Sequence, residues 1–299
     1  MKSLQIPATL LVGTLFLSFS SSSPAALIFQ DQFAVPPNTV GTQPQGWTAA
    51  GVATPDDNVA AANLTYPALA TGTPGSWLHD GDANQQYYRD FSGSGLAANT
   101  TIFYSFLLNI ADVGTLNTTG PTSGVVALSN NSITIPGNGA VAAFSFRKDS
   151  SNPDAYNIGV ATGFRGIGNN TTSIIGLSSW AATGGTAFNE GQTVLLVASY
   201  RYTSATSSTV NFWVNPSSLG GVAPTPTFSL SGTGTGAGVA AQRFLVNSIG
   251  GTSSTSSSWT LDAFRVGDTW ADVTIPEPTT ASLLGAGLLL FAAGRRRNR

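Results

Sequence analysis

The sequence predicts an all-β protein, built as a sandwich or jelly roll, and three observations carry that expectation. Between Leu27 and Thr274 apolar and polar residues alternate over short runs, helical periodicity is scarce, and Gly, Asn, Ser, Thr and Pro punctuate the runs. Candidate strands are Leu27 to Phe33, Thr101 to Ile110, Gly124 to Leu128, Ala140 to Arg147, Tyr156 to Thr162, Gln192 to Tyr202, Thr209 to Val214, Gln242 to Ser248 and Ser258 to Val266. With no helix between them, such strands pair into packed antiparallel sheets. In Val210-Asn211-Phe212-Trp213-Val214 both faces carry an aromatic ring, which marks a strand covered on both sides. Loops are expected at Asn117 to Gly124, Ser150 to Asp154 and Gly232 to Gly238.

The chain has 299 residues and no cysteine, so apolar burial alone must hold its core. The stretch 27–274 suits one large β domain. Only 9% of residues are charged, yet Trp, Phe, Val, Ile and Leu are too frequent for a disordered chain. The formal charge of −2 hides an asymmetry, because Lys2, Arg295, Arg296, Arg297 and Arg299 lie in the terminal segments. Between Leu27 and Pro278 stand seven basic and fourteen acidic residues, a balance that excludes a nucleic-acid partner.

Each end carries a segment distinct from the β region. Lys2, the apolar run Leu10 to Leu17 and the small residues Ser18 to Ala26 follow the order of a secretory signal peptide over 1–26. Cleavage after Ala25 and cleavage after Ala26 both satisfy the small-residue requirement. At the other end Pro276-Glu277-Pro278 precedes an uncharged stretch, Thr279 to Gly294, and the basic flank Arg295, Arg296, Arg297 and Arg299. By the positive-inside rule that flank is cytoplasmic, which puts the β domain on the outer face of the inner membrane. As a helix, 279–294 would cover roughly 24 Å of a hydrocarbon core about 30 Å thick, so it suits a transient handle better than a lasting anchor.

This tail, 275–299, resembles the PEP-CTERM sorting signal of Gram-negative, exopolysaccharide-producing bacteria. The resemblance implies export through the Sec machinery, an inner-membrane intermediate, recognition by an exosortase near Pro276-Glu277-Pro278, and delivery to the cell surface or extracellular matrix. A second resemblance covers most of 27–273. The order Tyr156-Asn157-Ile158-Gly159-Val160, Gly191 to Val197, Phe212-Trp213-Val214-Asn215-Pro216 and Leu261 to Gly267 is similar to the concanavalin A-like (laminin G-like) jelly rolls. That fold serves lectins, hydrolases and adhesive modules alike, so it does not decide function.

Little in the sequence marks catalysis. Polysaccharide-cleaving relatives of the fold use a pair of carboxylates, but the two glutamates here are Glu277, in the sorting motif, and Glu190, in the turn-like Phe188-Asn189-Glu190-Gly191. The single histidine, His79, has no nucleophile-elbow context and suits a solvated loop. Gly232-Thr233-Gly234-Thr235-Gly236 lacks the lysine and helix of a phosphate loop. Asp80, Asp82 and Asn84 resemble the opening of a calcium loop, although Gln85 and Phe91 replace its turn glycine and closing carboxylate. No other cofactor is expected. Trp77, Tyr87, Tyr88 and Trp180 are candidates for stacking on sugars.

The expectation is therefore an exported cell-surface or matrix protein, not an enzyme, whose jelly roll binds glycan or packs within an exopolysaccharide. A purely structural surface protein and a secreted polysaccharide-active enzyme of the same fold remain open beside it.

Overall fold

The structure, a computed structural model, describes residues 27–275 except 37, 50–57, 68, 70–73, 81–85, 93–95, 115, 117–123, 131–139, 165–178, 181–186, 234–237 and 249–257. The signal segment 1–26, the tail 276–299, Asp82 and Asn84 lie outside the described residues. Among the described residues no helix is long and apolar enough to cross a membrane.

In chain order the strands are β1 (Leu27–Asp31), β2 (Thr48–Ala49), β3 (Asn58–Ala60), β4 (Ser76–Asp80), β5 (Gln86–Asp90), β6 (Thr101–Asp112), β7 (Gly124–Ser129) and β8 (Ala140–Lys148). They continue with β9 (Ala155–Phe164), β10 (Ser179–Trp180), β11 (Phe188–Asn189), β12 (Thr193–Ser204), β13 (Ser207–Val214), β14 (Phe228–Thr233), β15 (Arg243–Ser248) and β16 (Ser258–Gly267), and a short helix α1 (Trp270–Thr274) closes the chain. All nine expected strands are present, and the fold is all-β. Sheet I runs β14-β13-β12-β6-β16-β4-β3 with β1 also on β16, and sheet II runs β10-β9-β8-β7-β15-β5-β2 with β11 also on β9. Every ladder is antiparallel.

Period-two alternation explains the core. Ile102, Tyr104, Phe106, Leu108 and Ile110 of β6 point inward with Val194, Leu196, Ala198 and Tyr200 of β12, and Phe144, Phe146, Ile158, Val160, Phe244 and Val246 of sheet II meet them. Phe264 sits at the centre of an aromatic nest, its ring 5.8 Å from Phe33, 5.3 Å from Trp47, 5.4 Å from Phe106 and 4.9 Å from Phe244. Ala142 and Ala143 form a bulge in β8 opposite Ala127, with Ala142 at φ +48°, and the buried Tyr104 hydroxyl donates to the Ala142 carbonyl.

The outer face of sheet I is closed by its own cluster. Trp270 and Val273 of α1 cover Leu107, Leu195, Val197 and Trp213, with the Trp270 and Trp213 rings 4.9 Å apart. As the alternation at Phe212 and Trp213 requires, the first lies in the inter-sheet core and the second under α1. The helix starts with a reciprocal cap: Asp272 N–H donates to Thr269 Oγ1, and Thr269 N–H donates to Asp272 Oδ2. Gly267 allows the close approach, since a Cβ there would lie 2.2 Å from the Asp272 Cβ. Ser105 Oγ donates to the Val273 carbonyl at 2.8 Å, and the Arg265 guanidinium, inserted from β16, donates through Nη1 to the Ile275 carbonyl at 2.6 Å.

Several local expectations are corrected. His79 is no loop residue: it lies in β4, 4% exposed, its ring 4.5 Å from Trp259. Gly232 and Thr233, expected in a loop, belong to β14, where they pair with Ser208 and Ser207; residues 234–237 of that expected loop lie outside the described residues. Strands β2, β10 and β11 are two residues each, too short to produce a periodicity, and tertiary pairing alone makes them extended.

Candidate functional site

With α1 over sheet I, the outer face of sheet II is the face that carries polar chemistry. Its register aligns Gln86, Asn247, Val125, Ser145, Gly159 and Trp180 in one row across β5, β15, β7, β8, β9 and β10. The neighbouring row runs through Tyr88, Leu245 and Ala127 toward Ala143 and Ala161. Val125, Ala127, Ala143, Gly159 and Ala161 therefore form a floor of small side chains, and polar groups bank it on both sides. The five strands β5, β15, β7, β8 and β9 at ~4.8 Å spacing make this face roughly 19 Å wide.

On the β5 and β15 bank, Arg243 is the central group. Its guanidinium carbon stands 4.3 Å over the Tyr88 ring, and its Nε lies 2.7 Å from Asp90 Oδ1. That contact is an ion pair without an aligned N–H, so Nε and Nη1 both remain without a hydrogen-bond acceptor although the residue is 8% exposed. Asn247, 6% exposed, stands in the same strand two positions beyond Leu245.

On the β8 and β9 bank are Ser145, Arg147 and Asn157. Ser145 is fully buried and its Oγ has no partner. Asn157 donates through Nδ2 to Asp149 Oδ2 at 2.8 Å, while its Oδ1 accepts nothing. The Asp149 carboxylate also accepts the N–H groups of Ser151 and Asn152, and these bonds, with that of Asn157 foremost, hold its carboxyl below the usual aspartate range. Buried polar atoms without a protein partner are uncommon in folded proteins, and Arg243, Ser145 and Asn157 carry them on one face of sheet II.

The residues singled out from sequence divide sharply. Tyr88 stands on this face, half-buried beside Arg243. Trp180 is placed in β10 opposite Gly159 at the far edge of the same row. Trp77 and Tyr87 do not belong to the site: both are 1% exposed in the inter-sheet core, their rings 5.0 Å apart, because alternation turns Tyr87 inward when it turns Tyr88 outward. Asp80 ends β4 opposite Ser258, and among the described residues no group of three His, Cys, Asp or Glu side chains is placed to hold a metal. Arg243, Asn247, Ser145, Arg147 and Asn157 were not singled out. Their signal is the alternation itself, as in Ala143-Phe144-Ser145-Phe146-Arg147, where one face is aromatic and the other small or polar.

No family model matches the chain, and no curated protein matches it. Solved structures do resemble it, at TM-scores below 0.5. A carbohydrate esterase from the Shiga toxin-encoding bacteriophage phi24B has 12% identity and a TM-score of 0.48, covering 81% of this chain and 98% of its own. An endo-β-1,4-glucuronan lyase from the fungus Trichoderma reesei has 11% identity and a TM-score of 0.45, covering 83% and 98%. The carbohydrate recognition domain of Emp47p has 11% identity and a TM-score of 0.43, covering 83% and 98%. The expectation that the chain is not an enzyme is corrected by these findings, since enzymes that act on carbohydrates stand among the similar structures beside the lectin-type domain.

Proposed function

We propose that this chain is a polysaccharide-active protein that takes an acidic, uronate-containing glycan across the outer face of sheet II. The observation that carries the reading is Arg243, buried on that face beside Tyr88 with an unpaired, solvent-shielded Nη1 donor. A guanidinium fork fits a carboxylate, and a desolvated one binds it more firmly than a solvated one. The floor of Val125, Ala127, Ala143 and Ala161 is itself fully covered, so a sugar would meet the half-buried bank formed by Gln86 and Tyr88 beside Arg243, where amide and phenol groups can pair with sugar hydroxyls.

Cleavage by elimination suits these side chains better than hydrolysis. Hydrolysis needs one carboxyl kept protonated as an acid and a second beside it. On this face Asp90 is engaged by Arg243, and Asp149 is held as an anion by three donors. In elimination the uronate C5 proton is removed, a C4–C5 double bond forms and the C4 oxygen leaves with the bond electrons. Neutralising the carboxylate, the part assigned to Arg243, lets a water base take that proton, while the adjacent Tyr88 hydroxyl gives its proton to the departing C4 oxygen and regains one from the protonated water.

Incubation with polyuronates is expected to raise the ultraviolet absorbance of the conjugated C4–C5 double bond. Arg243→Ala should lower that rate about 10- to 100-fold, the worth of one charge-assisted contact, with an unchanged thermal midpoint as control. Binding without product would refute cleavage, and neither binding nor product would refute the site.

The same reading includes export. The signal segment, Pro276-Glu277-Pro278, the apolar stretch and Arg295, Arg296, Arg297 and Arg299 support processing by an exosortase after Sec export and an inner-membrane intermediate, with the domain then at the cell surface or in the matrix. Deleting 276–299 is expected to move the protein from the cell envelope to the medium, read by fractionation. Retention in the envelope would contradict it.

A further inference from the structure

Both ends of the described chain leave the sandwich at one pole. β1 opens with Leu27 opposite Gly267, and Gly267 packs under Asp272 of α1. Ile275 follows three residues later, its carbonyl tied by Arg265. The loop at Gly220 joins the same place: its N–H donates to Thr274 Oγ1 at 2.9 Å, and a Cβ on it would lie 3.0 Å from Ile275 Cγ1.

Exposed apolar side chains gather there. Four large ones are exposed among the described residues: Leu27 at 39%, Val40 at 49%, Val222 at 89% and Ile275 at 44%. Leu27 and Ile275 are the last described residues before the outer segments, and Val222 is two residues from Gly220. A single exposed aliphatic residue is ordinary, but three around one point of chain exit are a patch. That exit also continues into the apolar stretches Leu10 to Leu17 and Thr279 to Gly294. The charges beside it are Asp268 and Asp272, while Arg265 is buried at 1% exposure, so the patch is matched to an uncharged or zwitterionic surface rather than an anionic one.

We propose that this pole rests on a lipid surface, with Leu27, Val222 and Ile275 at the headgroup boundary, and that the polar face of sheet II is thereby turned away from the membrane. The orientation of that face as a glycan site rests on the preceding reading; the lipid contact does not. Because α1 and the exit lie on the outer side of sheet I, a chain held by its tail presents sheet II outward. This contact belongs to the inner-membrane intermediate, before the tail is processed.

The absence of cysteine makes the test direct. Val222→Cys and Ser150→Cys in the full chain each accept one fluorophore, Ser150 standing exposed beyond β8 on the sheet II side. The labelled chains are incorporated into phosphatidylcholine vesicles carrying a shallow nitroxide lipid, or are exposed to iodide in the water. Side chains lodged in the headgroup region should be quenched by the lipid nitroxide roughly twofold more than the label at 150, with the order reversed for iodide. Equal quenching at the two sites, lipid quenching at 150, or failure of the chain to float with the vesicles would overturn the proposal. Polyuronate binding by the vesicle-bound chain is read separately. Its loss both in vesicles and in detergent would remove the glycan reading and leave the lipid contact standing.

Discussion

Phe264→Ala should lower the free energy of unfolding by about 4 kcal/mol, from lost transfer free energy and the cavity left among stiff neighbours. The ring is fully buried, and the four aromatic rings around it belong to both sheets and to the segment after β1. No single element can move to fill the space without opening the sandwich, so little relaxation is available. A domain of this kind holds ~5–15 kcal/mol in all, so this one truncation removes a large share. The comparison is Phe188→Ala at the rim, where the side chain is half-buried and its ring faces Tyr156 at 5.7 Å. That change should cost about 1 kcal/mol, nearer the ordinary loss for a point substitution. Denaturant midpoints at an unchanged slope give both values. Equal losses at 264 and 188 would show that the inter-sheet nest is not where the fold is held.

Most of the sandwich was legible because long strands write their own period. β6, β12, β13 and β16 alternate over eight or more residues, and the aromatic and β-branched residues on their inner faces leave no helical alternative. What escaped was made by partners distant in sequence. β4 and β5 were missed although they carry Trp77 and the pair Tyr87 and Tyr88, because the strands are short and their polar ends, His79 and Asp80, Arg89 and Asp90, look like loop. α1 was missed because its five residues span little more than one turn, although Thr269 and Asp272 spell its cap.

The site was harder to read for a related reason. Tyr87 and Tyr88 are neighbours of identical chemistry, and only the pairing of Val246 with one and Leu245 with the other decides which ring meets the core. Trp77 looked like a sugar platform for want of any knowledge that Trp47, Phe33 and Tyr87 enclose it. Arg243 passed unnoticed because one arginine in an apolar strand has no local signature. Its meaning comes from Tyr88 and Asp90, more than 150 residues earlier in the chain.

Asp262→Asn should abolish the largest pH dependence of folding in the domain. The carboxyl is 2% exposed in the bulge of β16, where Oδ2 accepts the N–H of Leu64 at 2.9 Å and Oδ1 that of Ala263 at 2.6 Å. Burial pushes its pKa up to about 7 and outweighs the two bonds and Arg265, which favour the anion, while Asp31 adds to the rise. The folded state thus holds a proton that the unfolded chain releases near pH 4, so the stabilisation is full below that value and is lost as pH rises through 7. At about 1.4 kcal/mol per pH unit, the wild type should lose about 4 kcal/mol across this window. The asparagine keeps one acceptor but turns its NH2 toward the second donor, which costs ~1–3 kcal/mol at every pH. The two stability curves should therefore cross, the wild type being the more stable near pH 4 and the variant near pH 8. Asp31, also raised by burial, leaves a residual slope of the same sign. Thermal or urea unfolding from pH 4 to 8 decides the matter, and parallel curves would show that Asp262 is ionised throughout the range.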